Sequence, residues 1–209
     1  VGGSTILFSG QYPRFHKSDF KSKSEAKVGQ DWPIEYSEIK EFYELNESMV
    51  GVAGLSGNRF YPDVKPNMKP VLLKPMGLKL ANGFNKLNWH WWPAYAAINT
   101  EKYRNRPVDK GDRPANIGQP DGSKGSADVV YLPEAIRNRV KVLHDTRAYK
   151  IIVNEEKVVK SIKVYNTKTG KEGSIYGEIF ILAGGAISTP RLLLNSKGKY
   201  SPNGVGNTS

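Results

Sequence analysis

Two periods of apolar and polar residues divide the last third of the chain. Residues 179–182 are an unbroken apolar run, the pattern of a short strand buried on both faces. Gly184 and Gly185 follow as a tight turn. Ser188 or Thr189 is then placed to cap a helix, with Pro190 at its first position and Leu192, Leu193 and Leu194 inside it. A strand, glycine turn and helix start in this order leave backbone N–H groups free at a helix N-terminus, where the helix dipole favours an anion. Such junctions are also common in α/β proteins that bind nothing there. Just upstream, residues 140–143, 148–153, 158–165 and 174–176 read as strands of an antiparallel meander, with turns at 154–157 and 166–170. Ile162 and Val164 alternating with Lys163 imply one buried and one wet face.

The rest of the chain is less regular. Residues 1–20 show neither a helical nor a strand period, and 17–27 form a charged connector. A helix capped by Ser37 is predicted next, with Ile39, Phe42, Tyr43 and Leu45 on its apolar stripe and Glu38, Glu41, Glu44 and Glu47 mostly facing solvent. The Gly-, Pro- and Asn-rich stretch 51–70 reads as loop. A second helix starts near Gly77, with Leu78, Ala81 and Leu87 inward. Residues 89–98 are extended because Pro93 disfavours helix at Trp92. Residues 99–125 form a long exposed loop, and a short helix covers 132–137. No internal repeat or low-complexity tract is present.

Composition narrows the chemistry. The chain has 209 residues, 38% apolar and 24% charged, enough for one large domain or two small ones. No apolar stretch approaches the roughly 18 residues that a membrane span requires. No signal peptide is visible, and the chain starts on Val1 rather than Met, which suggests a segment of a longer protein. The net charge of +11 favours anionic partners, but the cations are scattered. The densest group, Arg104, Arg106, Lys110 and Arg113, reads as solvated surface. With zero cysteines, disulfides and thiolate metal sites are excluded, and no metal site is expected.

Gly2-Gly-Ser-Thr5 at one end and Leu182-Ala-Gly-Gly-Ala-Ile-Ser-Thr-Pro-Arg-Leu-Leu-Leu194 at the other resemble the glucose–methanol–choline (GMC) family of flavoprotein oxidoreductases. Gln30-Asp-Trp-Pro-Ile34 with its acidic helix, Ala97-Ile-Asn99, and the run from Lys124 to Pro133 look like its gluconate-dehydrogenase-like branch. These motifs span essentially the whole chain in the family's order. The resemblance implies an α/β fold: part of a doubly wound FAD-binding domain with an inserted antiparallel β-meander, truncated at both ends. Residues 1–20 would be a flavin-contact loop, 21–138 helical and loop insertions, and 139–209 the meander and the return to the FAD sheet.

The resemblance also assigns roles. Gly2, Gly3, Ser4 and Thr5 would lie against the flavin and its pyrophosphate, where glycines let N–H groups approach anionic oxygens. Phe8, Ser9 and Gly10 would run along the isoalloxazine ring. Ile6, Leu7 and Phe8 stand where some relatives carry a flavin-linking His, so no covalent link is expected from this loop. Ala148 would meet adenine through its backbone, and Ala183, Gly184 and Gly185 would form the turn beside the adenosine half. The family's G-x-G-x-x-G phosphate loop lies upstream of these residues and its catalytic His downstream. No catalytic residue is therefore assigned here, and His16, His90 and His144 are read as structural or surface groups. The cysteine-free stretch 113–122 excludes the iron–sulfur cluster of some relatives.

The implied function is a segment of an FAD-dependent oxidoreductase that moves hydride from a CH–OH group of an alcohol, sugar or sugar acid to flavin. Its partners would be that small substrate and an electron acceptor not specified by these residues. Weak or no FAD retention by these residues alone is expected. The rival reading is a basic single-stranded nucleic-acid binder, with Trp89, Trp91, Trp92 and Tyr95 stacking bases. Only Lys86 and Lys102 stand near that cluster, so no nucleic-acid partner is expected. A β-rich interaction module built on the meander has no specific motif in its favour.

Overall fold

The computed structural model describes residues 2–207 and divides into two compact units, Val1–Val140 and Lys141–Ser209. In the first, the α-helices are α1 (Ser22–Ala26), α2 (Tyr36–Val50), α3 (Pro75–Lys86), α4 (Ala127–Val130) and α5 (Leu132–Arg137). The second holds a three-stranded antiparallel sheet in the order β1 (Thr146–Val153), β2 (Val159–Asn166), β3 (Glu172–Ile175), followed by α6 (Gly185–Asn195). The class is mixed α/β with an antiparallel meander, as the sequence predicts. Among the described residues, no helix is long and apolar enough to cross a membrane.

The core of the first unit comes from the stretch that reads as loop. Residues 51–70 form no helix or strand, yet Val52, Ala53, Val64 and Met68 are buried. Val52, Val64 and Tyr95 make the centre, with Tyr12, Tyr61 and Trp92 packed around it. Backbone bridges replace regular strands: Ala53 pairs with both Met68 and Ala96, Ala96 with Gln11, and Ile98 with Lys124. These bonds let Gly- and Pro-rich chain enter the interior with its amides satisfied.

Both helices predicted upstream form, with different boundaries and faces. Helix α2 starts at Tyr36, one residue before the predicted Ser37 cap. In a capping box the Glu35 carboxylate accepts from the Glu38 amide and the Glu38 carboxylate accepts from the Glu35 amide. Its buried residues are Tyr36, Glu47 and Val50, whereas Phe42 and Leu45 are each 60% exposed. Glu47 is drawn inward by Arg14, a pairing that no periodicity within the helix reveals. Helix α3 starts at Pro75 rather than near Gly77, as suits proline's fixed φ in a first turn. Of its predicted inward residues only Ala81 is buried; Leu78 and Leu87 are exposed.

Nor is 99–125 wholly exposed. Asn99, Arg106, Ser123 and Lys124 are buried, so Arg106 does not belong to the solvated cluster predicted for it. The Arg106 Nη2 donates to the Val50 carbonyl, and its burial lowers the guanidinium's pKa from its ordinary value.

In the second unit the meander is present with shifted ends. Residues 140–143 do not form a strand, and His144 lies just before β1. In the β1–β2 pair Ile151 faces Ile162, and the register breaks between Ala148 and Lys150, leaving Tyr149 out of the ladder. Asn166 closes the second turn as its Oδ1 accepts from the amides of Lys168 and Thr169. Residues 179–182, predicted as a buried strand, form none: Ile179 is 84% and Ile181 85% exposed. A strand needs a neighbour to pair with, and burial on both faces needs a layer packed on each; no described strand pairs with this run.

Helix α6 begins at Gly185, before the predicted cap at Ser188 or Thr189, which places Pro190 inside it. The Thr189 hydroxyl nevertheless acts at this end, accepting from the Gly184 amide at 3.0 Å. At the other end Ser196 Oγ accepts from the buried Ile151 amide at 2.8 Å and donates to the Leu192 carbonyl at 2.6 Å, tying α6 to β1.

Candidate cofactor-binding site

Two clusters carry the residues singled out from sequence, one in each unit. The first is the loop from Gly2 to Gly10. Gly2 and Gly3 both have positive φ, and residues Gly3–Ile6 wind into a single 3-10 turn. Gly3, Ser4, Thr5 and Ser9 are exposed, while Gly10 is buried. Thr5 has a structural partner as well, because its hydroxyl accepts from the Ala127 amide at 3.0 Å, the first residue of α4. Gly10 is required for two reasons. Its φ is +81°, and a Cβ there would lie 2.8 Å from Ile98 Cγ1. Its carbonyl accepts from Ala97 at 2.7 Å, which fixes the far end of the loop.

Lys124, not assigned a role from sequence, supports this loop from below. It is 1% exposed, and its ammonium group donates to the carbonyls of Ile6 at 2.6 Å, Phe8 at 2.9 Å and Ala115 at 2.6 Å. Burial lowers its pKa from the usual lysine value, and Asp128 opposes that shift electrostatically. Lys124 heads the run 124–133 that carries part of the resemblance, but its burial follows only from the return of the chain beneath the loop.

The second cluster is an open cavity of about 690 Å³ between β1, β2 and the start of α6. It brings together Ala148, Ala183 and Gly184, three of the residues predicted from sequence, with Gly185 next in the chain. Gly185 has φ +86° and open space where a Cβ would stand, so backbone there is accessible to a ligand. Ala148 sits at the β1 irregularity, a kind of defect that re-aims side chains near sites. Tyr149 and Tyr165, with rings tilted 5.9 Å apart, form an aromatic side.

Sequence reasoning missed Arg147 and Arg191 in this cavity. Both line it, and among the described residues neither guanidinium group forms an ion pair or a side-chain hydrogen bond. Two guanidinium groups without carboxylate partners beside an exposed backbone turn suit an anionic ligand. The available signal was Arg191 two residues beyond the predicted helix cap; Arg147 had none, because strand register alone does not place it.

The three histidines lie outside both clusters. His90 Nε2 is 3.0 Å from Asn58 Oδ1 and its ring stacks on Trp92. His16 and His144 are exposed, and His144 Nδ1 lies 2.7 Å from Asp145 Oδ2. No group of three or more His, Asp or Glu side chains among the described residues could hold a metal ion. The tryptophan cluster is tied internally: Trp91 Nε1 donates to Asn85 at 2.8 Å, and Trp92 Nε1 and the Tyr95 hydroxyl each donate to the Leu55 carbonyl at 3.0 Å.

Comparison with known proteins matches this arrangement to one family. The GMC oxidoreductase family model matches residues 1–208. The chain is 32% identical to a 2-methyl-1,2-propanediol dehydrogenase of Mycolicibacterium austroafricanum, over all of this chain and 38% of that protein. It is 25% identical to a fructose dehydrogenase large subunit of Gluconobacter japonicus, over all of this chain and 39% of the relative. An oxygen-dependent choline dehydrogenase of Staphylococcus epidermidis is 26% identical over 92% of this chain and 32% of its own length. The chain thus spans about two fifths or less of the length of these relatives. GMC oxidoreductases are flavoproteins, and the matched region is their FAD-binding part. From the N-terminal glycine pair to the leucines of α6, this chain belongs to the GMC oxidoreductase family.

Proposed function

We propose that this chain is the FAD-binding segment of an enzyme that oxidises a CH–OH group of a small alcohol, sugar or sugar acid. The observation that carries this reading is the cavity in the second unit, where Ala148, Ala183 and Gly184 converge beside two unpaired arginines. Its volume of about 690 Å³ lies within the usual range of small-molecule sites. The open backbone at Gly185 and the donor set fit an adenosine phosphate. In this reading Ala148 meets adenine through its backbone, and Ala183, Gly184 and Gly185 border the adenosine half. Arg147 and Arg191 offset phosphate charge. Gly2, Gly3, Ser4, Thr5, Ser9 and Gly10 face the flavin side.

Bound FAD supplies the hydride acceptor, and this chain's residues bind and orient it. No residue here is proposed as the base that takes the hydroxyl proton. The names of the relatives, a diol, a ketose and choline dehydrogenase, support a small hydroxyl-bearing substrate. The electron acceptor lies outside what these residues specify.

The test is to express the full coding sequence, release the bound flavin and identify it by chromatography. FAD near one equivalent, bleached anaerobically by an alcohol or sugar, is the expected result. R191A should then weaken competition by ADP about tenfold, as loss of one charge-assisted contact requires. Protein that takes up no flavin, or a flavin that no hydroxyl compound reduces, would overturn the reading.

A further inference from the structure

Most buried lysines meet a carboxylate. Lys124 meets three carbonyls instead, and two of them, Ile6 and Phe8, belong to the loop from Gly2 to Gly10. The third, Ala115, comes from the short turn Ala115–Ile117. All three N–H bonds of one ammonium are thereby used. Its Nζ also lies 5.1 Å from the centre of the Phe8 ring.

The position of this amine is set by backbone, not by a flexible surface. Lys124 bridges Ile98, and the neighbouring amide of Gly125 donates to Ala97 at 2.8 Å. Ala97 in turn donates to Gly10 at the end of the same loop. The acidic group within electrostatic reach is Asp128, whose carboxylate already accepts from Ser126 Oγ at 2.5 Å. No ion pair joins it to Lys124. A nearly desolvated cation is thus held behind a loop whose other side is exposed.

We infer that Lys124 is a positioning residue for flavin: it fixes the Ile6–Phe8 backbone against the cofactor and sets a positive charge behind it that favours the reduced flavin. This rests on the reading of Gly2–Gly10 as the flavin-contact loop. The physical reason is that reduction adds negative charge to the ring, and a fixed cation in a low-dielectric setting stabilises that charge more than it would in water. A purely structural lysine would tie the loop to the unit without moving the flavin potential.

The experiment compares wild type, K124M and K124R in the full-length, flavin-loaded protein by redox titration and by flavin retention on dilution. K124M, close in length but neutral, should lower the midpoint potential and weaken retention at least about tenfold, the scale of one charge-assisted bond. K124R keeps the charge but not the three-carbonyl geometry, so its potential should stay near wild type while retention falls. K124M with wild-type potential overturns the inference. If K124M does not fold, K124R decides: a potential displaced as far as a charge deletion would displace it, or unchanged retention, overturns the inference. A wild-type protein without flavin is a failure of the FAD reading itself, and absorbance reveals it before any variant is compared.

Discussion

Arg14 and Glu47 show how one pair can redirect an element. Arg14 Nε and Nη2 donate to the two oxygens of Glu47, each at 2.6 Å, and Nη1 donates to the Tyr36 hydroxyl at 2.9 Å. Both side chains are almost fully buried, at 2% and 5% exposure. Removing one partner leaves the other charge desolvated, so E47A should cost about 3–5 kcal/mol in urea unfolding. The double variant R14M/E47L should cost markedly less, because no charge is then stranded. Two phenols supply a pH prediction. Burial pushes Tyr12 and Tyr61 from 10.0 to about 12, chiefly by penalising the charged phenolate. The folded state therefore holds these protons after the unfolded chain has released them. Stability should be level below pH 10, then fall as pH rises through about 12. Alkaline unfolding followed by tyrosinate absorbance should show this fall, and Y12F and Y61F should each flatten it.

At the scale of elements, α6 is held to the sheet at its C-terminal end. Ser196 is fully buried and satisfies the Ile151 amide on an edge strand. S196A would leave that amide without its acceptor, at a cost of about 1–3 kcal/mol. Faster hydrogen exchange at Ile151, with β2 amides less affected, would locate the loss; unchanged exchange would refute it. The same helix explains one misreading. Proline at a first helical turn is favourable, so Pro190 pointed to a start beside Thr189. The chain begins helix at Gly185 because Thr189 Oγ1 reaches back five residues to the Gly184 amide. That contact is visible only after the turn has closed.

Across the molecule, large apolar side chains remain on the surface. Leu72 is 87% exposed, Ile179 84%, Ile181 85% and Ile187 82%. Because the chain spans about two fifths or less of its relatives' length, the expectation is that further protein covers some of these side chains. Expressed as these 209 residues alone, the chain should bind a hydrophobic dye strongly and retain FAD weakly. The product of the full coding sequence should show less dye binding and tighter FAD. Equal dye binding by both would argue against covered surfaces.

Local pattern was sufficient wherever a residue's neighbours in sequence are also its neighbours in space. The meander, the acidic helix and the short helix over 132–137 follow from alternation, turn chemistry and helical period. Gly2, Gly3 and Gly185 stand out because few other residues suit left-handed backbone. The family resemblance was likewise legible, since the order of its motifs is a linear property. What tertiary structure decided are the long-range pairings. Glu47 turns inward for an arginine 33 positions away, Lys124 reaches a loop 118 positions away, and Arg147 and Arg191 line one cavity only when α6 folds onto β1. The predicted strand at 179–182 needs a pairing strand and covering layers that no sequence window supplies. Burial of a charge depends on which distant groups can satisfy it, and that is set by the packed chain.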